Sequence, residues 1–273
     1  MAHRFPAHFR LHRSSFCENN ELNMNTFKSN IYEICSEVVG EFPGWKFVSG
    51  RFKNGALKHS ELIIDPGLFF ERGFTSMQPS ICIRNKRCEA LYSKIFEIKK
   101  PQIIPVSLVN FQVIADSLEY MPEAMRVRCL ICEDKISYLM AIKGSTDASE
   151  EMKMNLQNAA VGVGDARSVL VSMVKDGISF IANHYDLSSE ENLLRGLPAK
   201  YLTRNKIPYD EMEKQKGVIL CVVRILLGDF DFVERYADAD FKTIFPKRTD
   251  ELDRIVAALP ELKKLYAEAG SVI

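Results

Sequence analysis

The spacing of apolar residues changes near the middle of the chain. From about residue 45 to residue 143 they gather in short runs divided by turn-forming residues; from Ser145 onward they recur every three or four positions. The first pattern predicts strands and the second helices. The fold class expected is therefore α+β: an N-terminal helix and antiparallel β-meander, followed by a helical C-terminal half. The expected organisation is a disordered leader over 1–23, an α+β sheet region over 24–144, and a helical region over 145–273 packed on the sheet.

The fold is expected to begin near Met24, where Asn25 or Thr26 offers a cap for a helix carrying Phe27, Ile31, Ile34, Cys35, Val38, Val39 and Phe42 along one stripe. Pro43-Gly44 ends it. Trp45 to Phe52, Leu57 to Ile64, Leu68 to Met77 and Ser80 to Arg84 then read as strands, separated by Asn54-Gly55, Asp65-Pro66-Gly67 and Gln78-Pro79. A connecting helix is predicted over 87–97, with Leu91, Ile95 and Ile98 on one face. Further strands are expected in 103–114 and 124–142. In the last of these, Met125, Val127, Cys129 and Ile131 alternate with Arg126 and Arg128, Glu133-Asp134-Lys135 turns, and Tyr138, Met140 and Ile142 return.

In the helical half, Ser145, Thr146 or Asp147 can cap a polar helix running through Asn158. Asp165 can cap the next, with Val169, Leu170, Met173, Val174, Ile178, Ile181, Ala182 and Tyr185 facing the core. Ser188 and Glu191 form a capping box for a short helix ending near Gly196-Leu197-Pro198. Val218 to Leu227 is apolar almost all round and suits the centre of a bundle. Gly228 stops it, and Asp229 starts another. A final pair of helices, near 249–258 and 260–269, is expected to divide at Pro260. No fixed period repeats, which disfavours a solenoid.

Composition narrows the function classes. The 273 residues are 47% hydrophobic and 26% charged, and 36 basic residues balance 36 acidic ones. A zero net charge supplies no bulk attraction to nucleic acid or anionic lipid, so neither is expected as a partner. Local imbalance persists, with 11 Lys/Arg against 6 Asp/Glu over 41–100 and 4 against 8 over 146–199. Seven scattered cysteines fit a reducing, cytoplasmic setting better than a disulfide scaffold. No apolar run reaches transmembrane length. The basic head, His3, Arg4, His8, Arg10, His12 and Arg13, lacks the apolar segment of a secretory signal.

Candidate chemistry is sparse. Cys129-Leu-Ile-Cys132 has metal or redox spacing, but on a strand residues three apart face opposite ways, so a structural role is expected. Gly162-Val-Gly164-Asp-Ala-Arg167 resembles a phosphate loop only in part; a polar, helix-like segment precedes it and Arg167 replaces the third glycine. Arg167 remains a candidate anion ligand. His184 is expected to end a helix, where an imidazole meets the dipole favourably. His59 stands beside Ser60 and Glu61 with no local triad geometry. The acidic group Asp229, Asp231, Glu234, Asp238 and Asp240 and the basic group Arg84, Lys86 and Arg87 are candidate partner-binding positions. Helical spacing puts Glu234 and Asp238 on one face, without Asp229 and Asp231. The acidic group lacks an EF-hand loop. No metal or cofactor is expected.

One resemblance rests on the order of elements and a few apolar words: Trp45-Lys-Phe47, Leu68-Phe-Phe70, Phe74 through Gln78-Pro-Ser80, Gly177-Ile-Ser-Phe180, Leu193-Leu194, Leu197-Pro198 and Ile225-Leu-Leu-Gly228-Asp-Phe230. Over residues 27–240 this pattern resembles a loose group of uncharacterised bacterial α+β domains, some associated with toxin-immunity or defence loci. The resemblance implies a cytoplasmic bacterial protein-interaction module, of immunity type or linked to defence. It transfers no catalytic residue. An enzyme whose residues converge from distant segments, in a cleft between sheet and helices, is the alternative, and a scaffold subunit of a homodimer is a third reading.

Overall fold

The computed structural model describes residues 16–55, 57–71, 74–100, 103–110, 123–127, 129–131, 160–197, 210–238 and 249–273. Helix α1 (Phe16–Val38) leads into a single 3-10 turn and then the sheets. Strands β1 (Trp45–Val48), β2 (Arg51–Asn54), β3 (Ser60–Asp65), β6 (Ser80–Asn85) and β7 (Pro105–Asn110) form an antiparallel sheet in the order β1-β2-β3-β6-β7. The hairpin of β4 (Leu68–Glu71) and β5 (Phe74–Met77) leaves this meander and begins a second sheet with β8 (Cys129–Ile131) and β9 (Ala160–Gly162). Strands β8 and β9 run parallel. The helices are α2 (Lys86–Ile95), α3 (Ala166–His184), α4 (Glu190–Arg195), α5 (Asp210–Leu226), α6 (Phe230–Ala237) and α7 (Thr249–Ala269). The architecture is thus α+β, an N-terminal helix and antiparallel strands followed by a helical half.

Two of the expected long strands are hairpins. Trp45 to Phe52 is broken at Ser49-Gly50, where both residues have positive φ, 54° and 77°. That is the backbone of a type I′ turn, which joins β1 to β2 with only two residues between the Val48 and Arg51 pair. Likewise Leu68 to Met77 folds back, Glu71 pairing with Phe74. By contrast, Asp65-Pro66-Gly67 turns as expected. Gly67 has φ 59°, and a Cβ there would lie 2.3 Å from the Gln78 carbonyl oxygen, so backbone approach as well as dihedral requires glycine.

Alternation along β2, β3 and β6 turns Phe52, Leu62, Ile64, Ile81 and Ile83 into the core. Helix α3 crosses this face so closely that a Cβ on Gly177 would meet Ile64 Cδ1 at 2.6 Å. Helix α1 spans the two sheets: Tyr32 packs edge-on against Phe47 of β1 and Phe70 of β4, and Phe27 also meets Phe70. Helix α5 is buried from Gly217 through Val223 and contacts α2, α6, α7 and β7, the central position its all-round apolarity predicts. One continuous core joins sheet and helices.

Several local expectations shift. Helix α1 begins at Phe16, so Asn25 and Thr26 lie within it; neither Pro nor Gly interrupts residues 16–38, and these two residues alone do not stop a helix. Residues 123–126 are a 3-10 turn, not strand, and β8 starts only at Cys129. The expected returning strand at Tyr138, Met140 and Ile142, and the helix ending at Asn158, lie outside the described residues. Asp165 precedes α3 without a side-chain capping bond, and Ala182 is exposed, outside the buried stripe. Ser189, not Ser188, caps α4 by accepting from the Asn192 N–H, because the Ser188 hydroxyl donates to Asp186. Helix α7 continues through Pro260, which lies at an exposed position of the helix, as does Val256 one turn earlier.

Candidate functional site

Among the described residues, polar side chains converge where α4 meets the ends of β3 and β6. Glu190, the first residue of α4, turns its carboxylate onto the strands. Its Oε1 accepts from the Ser60 hydroxyl at 2.7 Å, from Asn85 Nδ2 at 3.1 Å and from the His59 backbone N–H at 3.1 Å. Asn85 Nδ2 also donates to Ser60 Oγ at 2.8 Å, while Asn85 Oδ1 accepts from the Cys88 N–H at 2.9 Å and so caps α2. Each donor is satisfied, as buried polar groups must be. Ser60 is 3% exposed and Asn85 fully buried. A serine enclosed in this way, directly bonded to a carboxylate, fastens three elements; it does not present a nucleophile to solvent. A second buried pair, the Ser107 and Tyr185 hydroxyls at 2.8 Å, ties β7 to the end of α3.

Of the basic group expected to meet a partner, Arg84 on the first sheet is held in internal ion pairs. Arg84 makes a two-toothed contact with Glu89, Nε to Oε1 at 2.9 Å and Nη2 to Oε2 at 3.0 Å, and reaches Glu61 at 3.2 Å. The hydrogen bonds to Glu89 hold its guanidinium above its ordinary acidity value. Arg87 extends to Ser271 Oγ at 3.4 Å, and Lys86 is exposed in the first turn of α2.

The members of the acidic group also differ in their contacts. Asp229 caps α6, accepting from the Phe232 N–H at 3.3 Å, and pairs with Arg224 at 3.3 Å. Arg224 lies over the Phe232 ring, 4.7 Å from its centroid. Glu234 pairs with Lys263 of α7 at 2.6 Å, and Asp231 is exposed. Asp238 is the C-cap of α6, its N–H donating to the Glu234 carbonyl oxygen at 3.2 Å; Asp240 lies outside the described residues.

The remaining candidates have structural partners. Arg167 pairs with Glu41 at 2.6 Å and links the start of α3 to the 3-10 turn that follows α1. Strand β9 ends at Gly162, and a 3-10 turn at Val163–Asp165 separates it from α3; the helix-like segment expected ahead of it lies outside the described residues. His184 ends α3 as expected; its ring stacks on Phe180 at 4.0 Å, and Nδ1 lies 2.8 Å from the Phe180 carbonyl oxygen. Cys129 belongs to β8, whereas Cys132 is outside the described residues. Burial pushes the thiols of Cys35, Cys82 and Cys221 up to about 12, and that of Cys88 higher still. Among the described residues no three His, Cys, Asp or Glu side chains are grouped to hold a metal ion, and no helix is long and apolar enough to cross a membrane.

The Glu190 cluster was missed in the sequence because its members lie up to 131 residues apart. The local signal was limited to Asn85 ahead of a helix and an acidic residue in a first turn. Comparison with family models, curated proteins and solved structures finds no match to this chain.

Proposed function

We propose that this chain is a protein-interaction module of the bacterial cytoplasm, an immunity-type or defence-linked binder that acts by occluding a partner's surface. The observation that carries the reading is the division of α6. Phe230, Phe232, Val233 and Tyr236 are buried, while Asp231 and Glu234 face outward from a helix capped by Asp229 and braced by Lys263. Such a helix, with Asp231, Glu234 and Arg235 exposed, offers charged groups to a partner surface, where complementary charge sets association rate and specificity. The resemblance to defence-associated domains supplies the biological class. Neither nucleic acid nor membrane enters the reading, since net charge is zero.

The test is affinity capture from the native host with the wild-type chain and with the D231K/E234K variant. A partner retained by the wild type and lost by a folded variant supports the proposal. Equal retention by both overturns the assignment of this helix.

The enzyme reading has one observation in its favour, the convergence of Ser60, Asn85 and Glu190 between sheet and helices. With Ser60 3% exposed, a substrate would have to displace α4. Hydrolytic activity abolished by S60A in a folded protein would establish this alternative.

A further inference from the structure

We draw no further inference here: the strongest candidate, the glycine loop at Gly162–Gly164 leading to the N-terminus of α3, is a helix start with no second observation pointing to a ligand, and its Arg167 is already paired with Glu41.

Discussion

The Glu190 carboxylate accepts the Ser60 hydroxyl at 2.7 Å, joining residues 130 positions apart in the chain. Through Asn85, the same carboxylate is coupled to the N-terminal cap of α2. A charged acceptor shared by three donors fixes α4 against the strand ends more specifically than the apolar contacts of Leu193 and Leu194 alone, because hydrogen bonds are directional.

Removing this acceptor leaves buried donors unpaired. The E190A variant is expected to lose about 3 kcal/mol of stability, the order expected for charged hydrogen bonds whose partners stay buried. N85A removes a helix cap as well and should cost about 2 kcal/mol. The two losses should not add in the double variant; a coupling of about 1 kcal/mol is expected from urea unfolding of all four proteins. Simple additivity would show that the cluster does not act as a unit.

Close approach of α3 to the sheet makes Gly177 a packing residue. Alanine there gains helix propensity of about 1 kcal/mol, but its Cβ would lie 2.6 Å from Ile64 Cδ1 and 3.1 Å from Met125 Cε. Ile64 is fully buried, so overpacking should prevail and G177A should be about 1 kcal/mol less stable than wild type. I64V deletes the nearest methyl. The G177A/I64V protein should therefore be more stable than the sum of the single losses predicts, as measured by denaturant midpoints; additive losses would refute the contact.

Thiol burial has a chemical consequence. With values of about 12, Cys35, Cys82 and Cys221 expose roughly one thiolate in ten thousand at pH 8, and Cys88 fewer. Brief alkylation of the native protein, mapped by peptide mass spectrometry, should leave the fully buried Cys35, Cys88 and Cys221 unlabelled, and labelling should appear in urea. Rapid native modification of any of them would contradict their placement.

The Ser188 hydroxyl and N–H both donate to Asp186, holding its carboxyl below the ordinary value of 3.8. Because the folded-state value is lowered, this interaction contributes stability above the ordinary carboxylate value. The contribution is lost as pH falls through the lowered one. Carboxyl NMR titration should give a midpoint below 3.8 in the wild type and a higher one in S188A. Unchanged midpoints would count against the hydrogen bond.

Local periodicity carried much of the architecture. The apolar run of α5, the Gly228 stop and the Asp229 cap were legible because each depends on neighbours within a turn or two. The β1–β2 turn was not, since Ser49 adopts positive φ without being glycine and leaves the run from Trp45 to Phe52 looking continuous. Pro260 looked like a boundary although tertiary packing of Leu252, Ile255, Leu259 and Leu262 carries α7 across it. The site was least legible. Arg84 resembled part of an open basic patch until strand pairing placed it opposite Glu61, and no local spacing announces the meeting of Ser60, Asn85 and Glu190.

The central claim is that the outer face of α6 binds a protein. Size-exclusion light scattering of the captured wild-type complex and of D231K/E234K mixed with the same purified partner tests it most directly. The account predicts a stoichiometric complex for the wild type and separate masses for the variant, with circular dichroism showing both folded. A complex of unchanged mass and stability with the variant, or a wild-type chain that elutes alone, would contradict it.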